Sequence, residues 1–310
     1  MKSFVSTTKA AVLRWFDTSV DPPDSAAEAR VDWLRTVPFL LLHLACLLAL
    51  GSGVSATALW IAGGLYAVRM FAITGFYHRY FSHRAFKTSR AWQFVFAVAG
   101  ASAVQRGPLW WAAHHRRHHR CADGPEDPHS PKEHGLLWSH VGWITSKKHF
   151  ATDLDAVPDL ARYPELRFLD RFDTVVPFAL AAALYGLGAA LERFAPSLGT
   201  NGFQLVVWGF VVSTVVLFHA TCTINSIAHR FGHQPFSTGD ESRNNALLAV
   251  ITLGEGWHNN HHAYPHSAAQ GFRWFEFDPT YLVLRGLAAL GVIHDLRPVP
   301  IALRRARGAS

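Results

Sequence analysis

An all-α protein with four transmembrane helices and a cytoplasmic helical cap is the fold class this sequence predicts, and three observations predict it. Half of the 310 residues are hydrophobic and only 16% are charged, which is little for a soluble protein of this length. Long apolar runs come in two pairs, each broken by a turn rich in Gly, Ser or Pro. Outside the pairs stand four short clusters: His78/His83, His115/His118/His119, Asn225/His229 and His258/His261/His262.

The N-terminal stretch M-K-S-F-V-S-T-T-K-A has neither the apolar core nor the cleavage pattern of a secretory signal. Between Arg35 and Arg69 lie 33 residues without a formal charge. That is too many for one crossing of ~20 residues and enough for two helices joined at Gly51-Ser52-Gly53, so spans are expected at 36–52 and 54–76. The apolar stretch from Ala91 to Val104 is shorter than a crossing and is expected at the interface or under the cap. The second pair, 174–191 and 203–225, is divided by Glu192-Arg193 and a Pro/Gly turn. The whole chain, 1–310, reads as one membrane domain whose cap comprises 77–173 and 226–310.

Arg193 is the one basic residue in the two turns, while the N-terminus, middle segment and C-terminus hold nearly all the others. The positive-inside rule therefore puts those three segments and every histidine box in the cytoplasm. Arg304, Arg305 and Arg307 read as a solvated tail touching anionic lipid. A soluble helical protein with buried helices is the competing fold, and four such runs exceed what an ordinary core needs.

A net charge of +7 raises the question of nucleic acid, but the basic residues are scattered beside apolar segments without a nucleic-acid motif. A membrane surface or a phosphorylated substrate fits better. Cys46, Cys121 and Cys222 are far apart and form no C-x-x-C pair, which argues against a disulfide framework and an iron–sulfur centre. They read as ordinary thiols.

Residues three and four apart share a helix face, so His115 with His118/His119, and His258 with His261/His262, can each point at one metal-sized volume. Asn225 and His229 do the same at the end of the last span. His78 and His83, five apart, are worse placed on a regular helix, and one of them is expected just beyond a helix end. A lone histidine is most often a hydrogen-bonded core residue; nine in four clusters are not. Neutral imidazole suits zinc, copper, iron or nickel, and nine are too many for one four- to six-coordinate ion, so two metals are expected. Softness does not select iron, since the affinity series favours copper or zinc.

The boxes H-R-Y-F-S-H, H-R-R-H-H and H-N-N-H-H, in this order, resemble those of the membrane fatty acid desaturases, in particular the stearoyl-type acyl-coenzyme A desaturases. The resemblance extends through W-W-A-A-H-H-R-R-H-H, D-P-H-S, W-S-H-V-G-W, N-S-I-A-H-R-F-G, G-E-G-W-H-N-N-H-H and W-F-E-F-D at 274–278. It implies a non-haem di-iron oxidoreductase that uses dioxygen and two electrons to remove two vicinal hydrogens from a fatty acyl chain, leaving a cis double bond at carbon 9. The implied iron ligands are His78, His83, His115, His118, His119, His229, His258, His261 and His262, with Asn225 holding a metal-bound water. Iron makes chemical sense there, because breaking an unactivated C–H bond needs an oxidant that redox-inert zinc does not generate.

Trp111 and Trp257 flank boxes and are expected to line the acyl slot, the alternative being interfacial anchoring. The resemblance implies that Trp111 helps bend the chain. It also shows Cys222 where animal members carry Trp, which alters the slot. Arg116, Arg117, Arg120, Lys147 and Lys148 form an expected basic rim for the phosphates of coenzyme A or of a phospholipid head; a membrane-facing patch is the alternative. His114 and His140 are candidates to orient ligand imidazoles, and Asp123, Asp127 and Glu255 to do the same or to serve turns.

With no haem motif, cysteine cluster or nucleotide fingerprint, the electrons are expected from a separate ferredoxin or cytochrome with its reductase. The absence of a fused cytochrome domain fits a bacterial inner-membrane enzyme. Two other functions remain open from the sequence: a histidine-box hydroxylase or ketolase acting on an alkane, lipid or carotenoid, and a non-enzymatic metal transporter, whose ligands would line the spans.

Overall fold

A computed structural model describes residues 12–20 and 30–299. The basic tail at Arg304, Arg305 and Arg307 lies outside the described residues, as does the M-K-S-F-V-S-T-T-K-A stretch. The described chain is mostly helical, with one two-stranded antiparallel ribbon in which Lys87 pairs with His294 and Thr88 with Ile293.

Four helices are long and apolar enough to cross a membrane: Trp33–Leu50, Ala56–Ser82, Val175–Phe194 and Gly202–His229. They match the expected spans in number and order, but the second and fourth run well past the expected ends at 76 and 225. Composition turns polar there while the backbone hydrogen-bond ladder continues, so a count of apolar residues stops short. Between the second and third spans, Arg90–Ala101 is a helix of 12 residues, too short to cross.

Three of the four span starts have a side-chain cap. Asp32 and Ser55 accept backbone N–H bonds from Arg35 and Ala58 at the starts of the first two spans, and Asn201 caps the fourth through Gln204. Pro38 sits inside the first span and has no N–H for the Leu34 carbonyl; the Trp15 indole donates to that oxygen instead, at 2.9 Å. The first span is a peripheral helix, with Leu40, Leu41, Leu44, Leu47 and Leu48 exposed, the apolar surface that lipid would cover. The fourth is central: 50% of its apolar window is buried, against 11% for the first.

Arg69, in the second span, is fully buried and bonds to Thr214 Oγ1 (2.6 Å), Ser213 Oγ (2.7 Å) and the Gly209 carbonyl of the fourth span, and to the Ser102 carbonyl. A charge in that environment is tolerable because its donors are satisfied. Two stretches of these spans are π-helical, Ala72–Ser82 and Val206–Val212, and the first carries the first histidine box.

Candidate metal centre

The π-turn resolves the awkward spacing of His78 and His83. In a π-helix residue i+5 bonds back to residue i, and the His83 N–H donates to the His78 carbonyl at 3.2 Å. His83 caps the end of that helix. The two imidazoles lie side by side, ring centroids 4.9 Å apart. Helix Pro108–Cys121 carries His115, His118 and His119, helix His258–Ala263 carries His258, His261 and His262, and His229 closes the last turn of the fourth span.

These nine histidines converge as two groups. His78, His83, His115, His119 and His261 form one; His118, His229, His258 and His262 form the other; within each group the ring nitrogens lie within 4.8 Å of one another. Facing Nε2 atoms are close: 3.0 Å for His78 and His261, 2.7 Å for His83 and His115, 2.9 Å for His119 and His261, 3.0 Å for His229 and His258, 3.1 Å for His258 and His262. Ligands at right angles on an ion with ~2.1 Å bonds stand about 3.0 Å apart, so the donor geometry fits a metal in each group. Asn225, one helical turn before His229, lies where the two cavities described below meet.

The outer nitrogens explain why the inner ones point inward. Nδ1 of His118 meets Asp127 (2.9 Å), that of His229 meets Asp123 (2.7 Å), that of His262 meets Asp240 (2.8 Å), and that of His78 meets Glu255. A carboxylate on Nδ1 holds the N–H on the outside and leaves the Nε2 lone pair facing the site. The carboxylates are themselves held. Asp123 accepts from the Glu241 N–H and Ser130 Oγ, and Glu255 is gripped by Arg79 and Gln270, with Asp278 on the other side of Arg79.

Burial, then the neighbouring imidazoles, holds His83, His115, His119, His258 and His261 well below the ordinary histidine range, and burial takes His262 down to about 4 against the pull of Asp240. Burial also works against a charged His118, but Asp127 outweighs it and raises that group. The neutral form is the one that binds metal.

Two cavities reach the histidines. The larger, ≈ 250 Å³, runs between the first and fourth spans past Phe39, Phe218 and Cys222 to Trp111 and His115. The smaller, ≈ 40 Å³, continues beyond the site among Met70, Ile73 and Thr74. Trp111, His115, Thr221 and Asn225 line both. Trp111 stacks on His115, centroids 5.0 Å apart, and Gln105 donates to Thr221 Oγ1 at 2.9 Å on the wall of the larger cavity. No motif announces that Gln105–Thr221 pair in the sequence.

Several expected residues sit elsewhere. Trp257 lines neither of these cavities; its indole is buried and donates to the Phe277 carbonyl, 2.9 Å away. The Arg116 guanidinium turns inward, to Asp159 and the carbonyls of Phe81 and Ser82, so it is a brace and not part of a free rim. Lys147, Lys148 and Arg120 are exposed and Arg117 half-buried. His114 makes no bond to a clustered histidine, and His140 bonds to Ser226 and His219; carboxylates do the orienting expected of them. Asp240 does that work too and was not singled out from the sequence.

Four apolar helices, two buried groups of facing imidazoles and an apolar passage leading to them define a histidine-box metalloprotein class whose helices are compatible with membrane insertion. The fatty acid desaturase family model matches residues 55–295. The chain is 40% identical over 260 residues to the acyl-CoA 5-desaturase AL21 of Anemone leveillei, covering 83% of this chain and 76% of that protein. It is 36% identical to the chloroplastic palmitoyl-monogalactosyldiacylglycerol delta-7 desaturase of Arabidopsis thaliana (96% and 75% covered) and 33% identical to the sn-1 stearoyl-lipid 9-desaturase of Anabaena variabilis (88% and 96% covered). The chain belongs to the fatty acid desaturase family.

Proposed function

We propose that this chain is a di-iron fatty acyl desaturase that places a cis double bond at carbon 9 of a saturated chain carried on coenzyme A or on a lipid. Family membership makes it an oxygen-dependent oxidoreductase acting on fatty acyl chains. The observation that carries the reading is the meeting of an apolar cavity with two groups of facing imidazoles at Trp111 and Asn225. Carbon 9 is supported by the Anabaena relative, a 9-desaturase matched over nearly its whole length.

His78, His83, His115, His119 and His261 would hold one iron; His118, His229, His258 and His262 would hold the other, with Asn225 keeping a water beside it. Iron, when bound, supplies the activation of dioxygen that an unactivated C–H bond demands. The rest is the work of this chain's residues. Glu255, Asp123, Asp127 and Asp240 fix the imidazole tautomers. The aromatic walls exclude water, and Trp111 with the Gln105–Thr221 pair, on the cavity wall beside His115, would bend an acyl chain so that two adjacent methylenes face the site.

Glu192 and Arg193, expected in a turn, lie inside the third helix, and the turns that remain, 51–55 and 195–201, are uncharged, which supports a multi-pass orientation with the termini and both cap segments, 77–173 and 226–310, in the cytoplasm. There the exposed Lys147 and Lys148, with Arg117, would meet the phosphates of the acyl carrier, and a separate ferredoxin or cytochrome would deliver electrons. Expression in a host without unsaturated fatty acids, with mass spectrometry of the lipids, tests this: a cis-9 alkene without oxygen-18 from labelled dioxygen is expected. An alcohol carrying the label would make the protein a hydroxylase. His261→Ala should abolish the product and leave membrane insertion intact.

A further inference from the structure

A polar wall interrupts the larger cavity beside its apolar lining. His114, His129 and Trp143 all face it and are only 8%, 4% and 6% exposed. Trp143 Nε1 and both ring nitrogens of His114 are buried without a hydrogen-bond partner, while His129 Nδ1 faces Asp127 at 3.6 Å. Their rings stand together, Trp143 being 4.9 Å from His129 and 5.6 Å from His114, centroid to centroid. Buried polar groups are seldom left unpaired, so a wall with three orphaned atoms marks a place where something polar belongs.

The donor chemistry says what. An indole N–H can only donate, and a neutral imidazole carries one N–H and one bare nitrogen, so Trp143 and His114 together offer two donors that ask for an acceptor. Around it stand Phe39, Trp110, Phe150 and Phe218, which suit an acyl chain; the two arginines of the lining, Arg35 and Arg106, lie over the Phe150 ring, and Arg106 is paired with Asp173. An acyl chain brings one acceptor into such a passage, its carbonyl oxygen, whose two lone pairs match two donors.

We propose that Trp143 and His114 donate hydrogen bonds to the acyl carbonyl oxygen of the substrate, with His129 completing the polar wall. The carbonyl is common to a thioester and a glycerolipid ester, so the site serves either carrier. This rests on the acyl desaturase reading and adds a datum point to it. With the carbonyl pinned at this wall, the number of carbons between it and Trp111 decides which methylene pair meets the histidines. Four and five residues further along the chain from Trp143, Lys147 and Lys148 are exposed.

The test uses the metal-loaded full chain in detergent and two matched ligand pairs: stearoyl-CoA against its S-octadecyl thioether, and a stearoyl lysophospholipid against its octadecyl ether. The carbonyl-bearing member of at least one pair should bind roughly tenfold tighter, and the pair that shows the preference identifies the carrier. Trp143→Phe keeps the ring and removes the N–H. It should erase that preference, leave ether binding unchanged, and scatter the double bond over neighbouring carbons. Equal binding of both members by the unaltered protein overturns the proposal, as does a Trp143→Phe loss shared by both, which would leave water as the wall's partner. The comparison on the unaltered protein decides the matter even if the variant does not accumulate. Intact carbonyl preference without any alkene product would instead sink the desaturase reading and leave this site standing.

Discussion

Asp240 shows how much a single carboxylate can govern. It holds the His262 N–H at 2.8 Å and is itself fixed by the Ser242 N–H and Thr238 Oγ1. Asp240→Asn preserves the shape and removes the charge that makes His262 a strong ligand, so metal retention should fall about 10- to 100-fold. Metal content after timed exposure to a chelator, by mass spectrometry, checks it; retention equal to the unaltered protein would count against the assigned role. Asp123, Asp127 and Glu255 were legible beforehand because they stand within a few positions of a histidine box. Asp240 was not, because it reaches its partner from the loop after the fourth span and no spacing connects the two. Trp257 misled for the opposite reason: neighbouring a box in sequence, its side chain points away from the passage.

Among the elements, the first box was the least legible, since a π-turn is a change of backbone ladder that side-chain pattern does not announce. The three- and four-residue spacings of the other boxes needed only an ordinary helix and were readable at once. A second backbone irregularity offers a clean test. Pro38 leaves the Leu34 carbonyl without its usual donor, and Trp15 fills the gap. Trp15→Phe alone should destabilise the protein by about 1 kcal/mol, the net worth of a hydrogen bond to a half-buried carbonyl. In a Pro38→Ala background the backbone N–H restored at position 38 takes that carbonyl, and the same Trp15 change should cost about 1 kcal/mol less. Thermal unfolding of the four proteins in detergent measures the coupling, and strict additivity would refute the assigned bond.

For the molecule as a whole, the site also sets the response to acid. In the unfolded chain histidines take up protons near 6.5, whereas burial keeps His83, His115, His119, His258, His261 and His262 neutral to lower pH in the fold. The unfolded state therefore binds more protons below 6.5, and stability is present above that value and lost as pH falls; His118, raised by Asp127, partly opposes the trend. The melting temperature of metal-free protein should drop between about pH 7 and pH 5. A flat profile would mean the imidazoles are more exposed than the structure has them. The number and order of the spans were readable from charge and apolar length, and the convergence of four distant clusters from their residue types. The course of the passage was only partly so: the resemblance placed Cys222 on it, whereas Gln105 and Thr221 line it from elements that only the fold brings together.

That convergence also dictates a sequence of events during biogenesis. The donors of each imidazole group are drawn from points as far apart as His78 and His261, or His118 and His262, and the last of them leaves the ribosome only after all four spans. Translation must pass His261 before either pocket has its full complement of nitrogens, so if the four helices insert as they emerge, metal would be acquired after insertion. A nascent chain stalled before His258 would be an inserted, metal-poor intermediate, and cellular metal supply would limit maturation without limiting insertion.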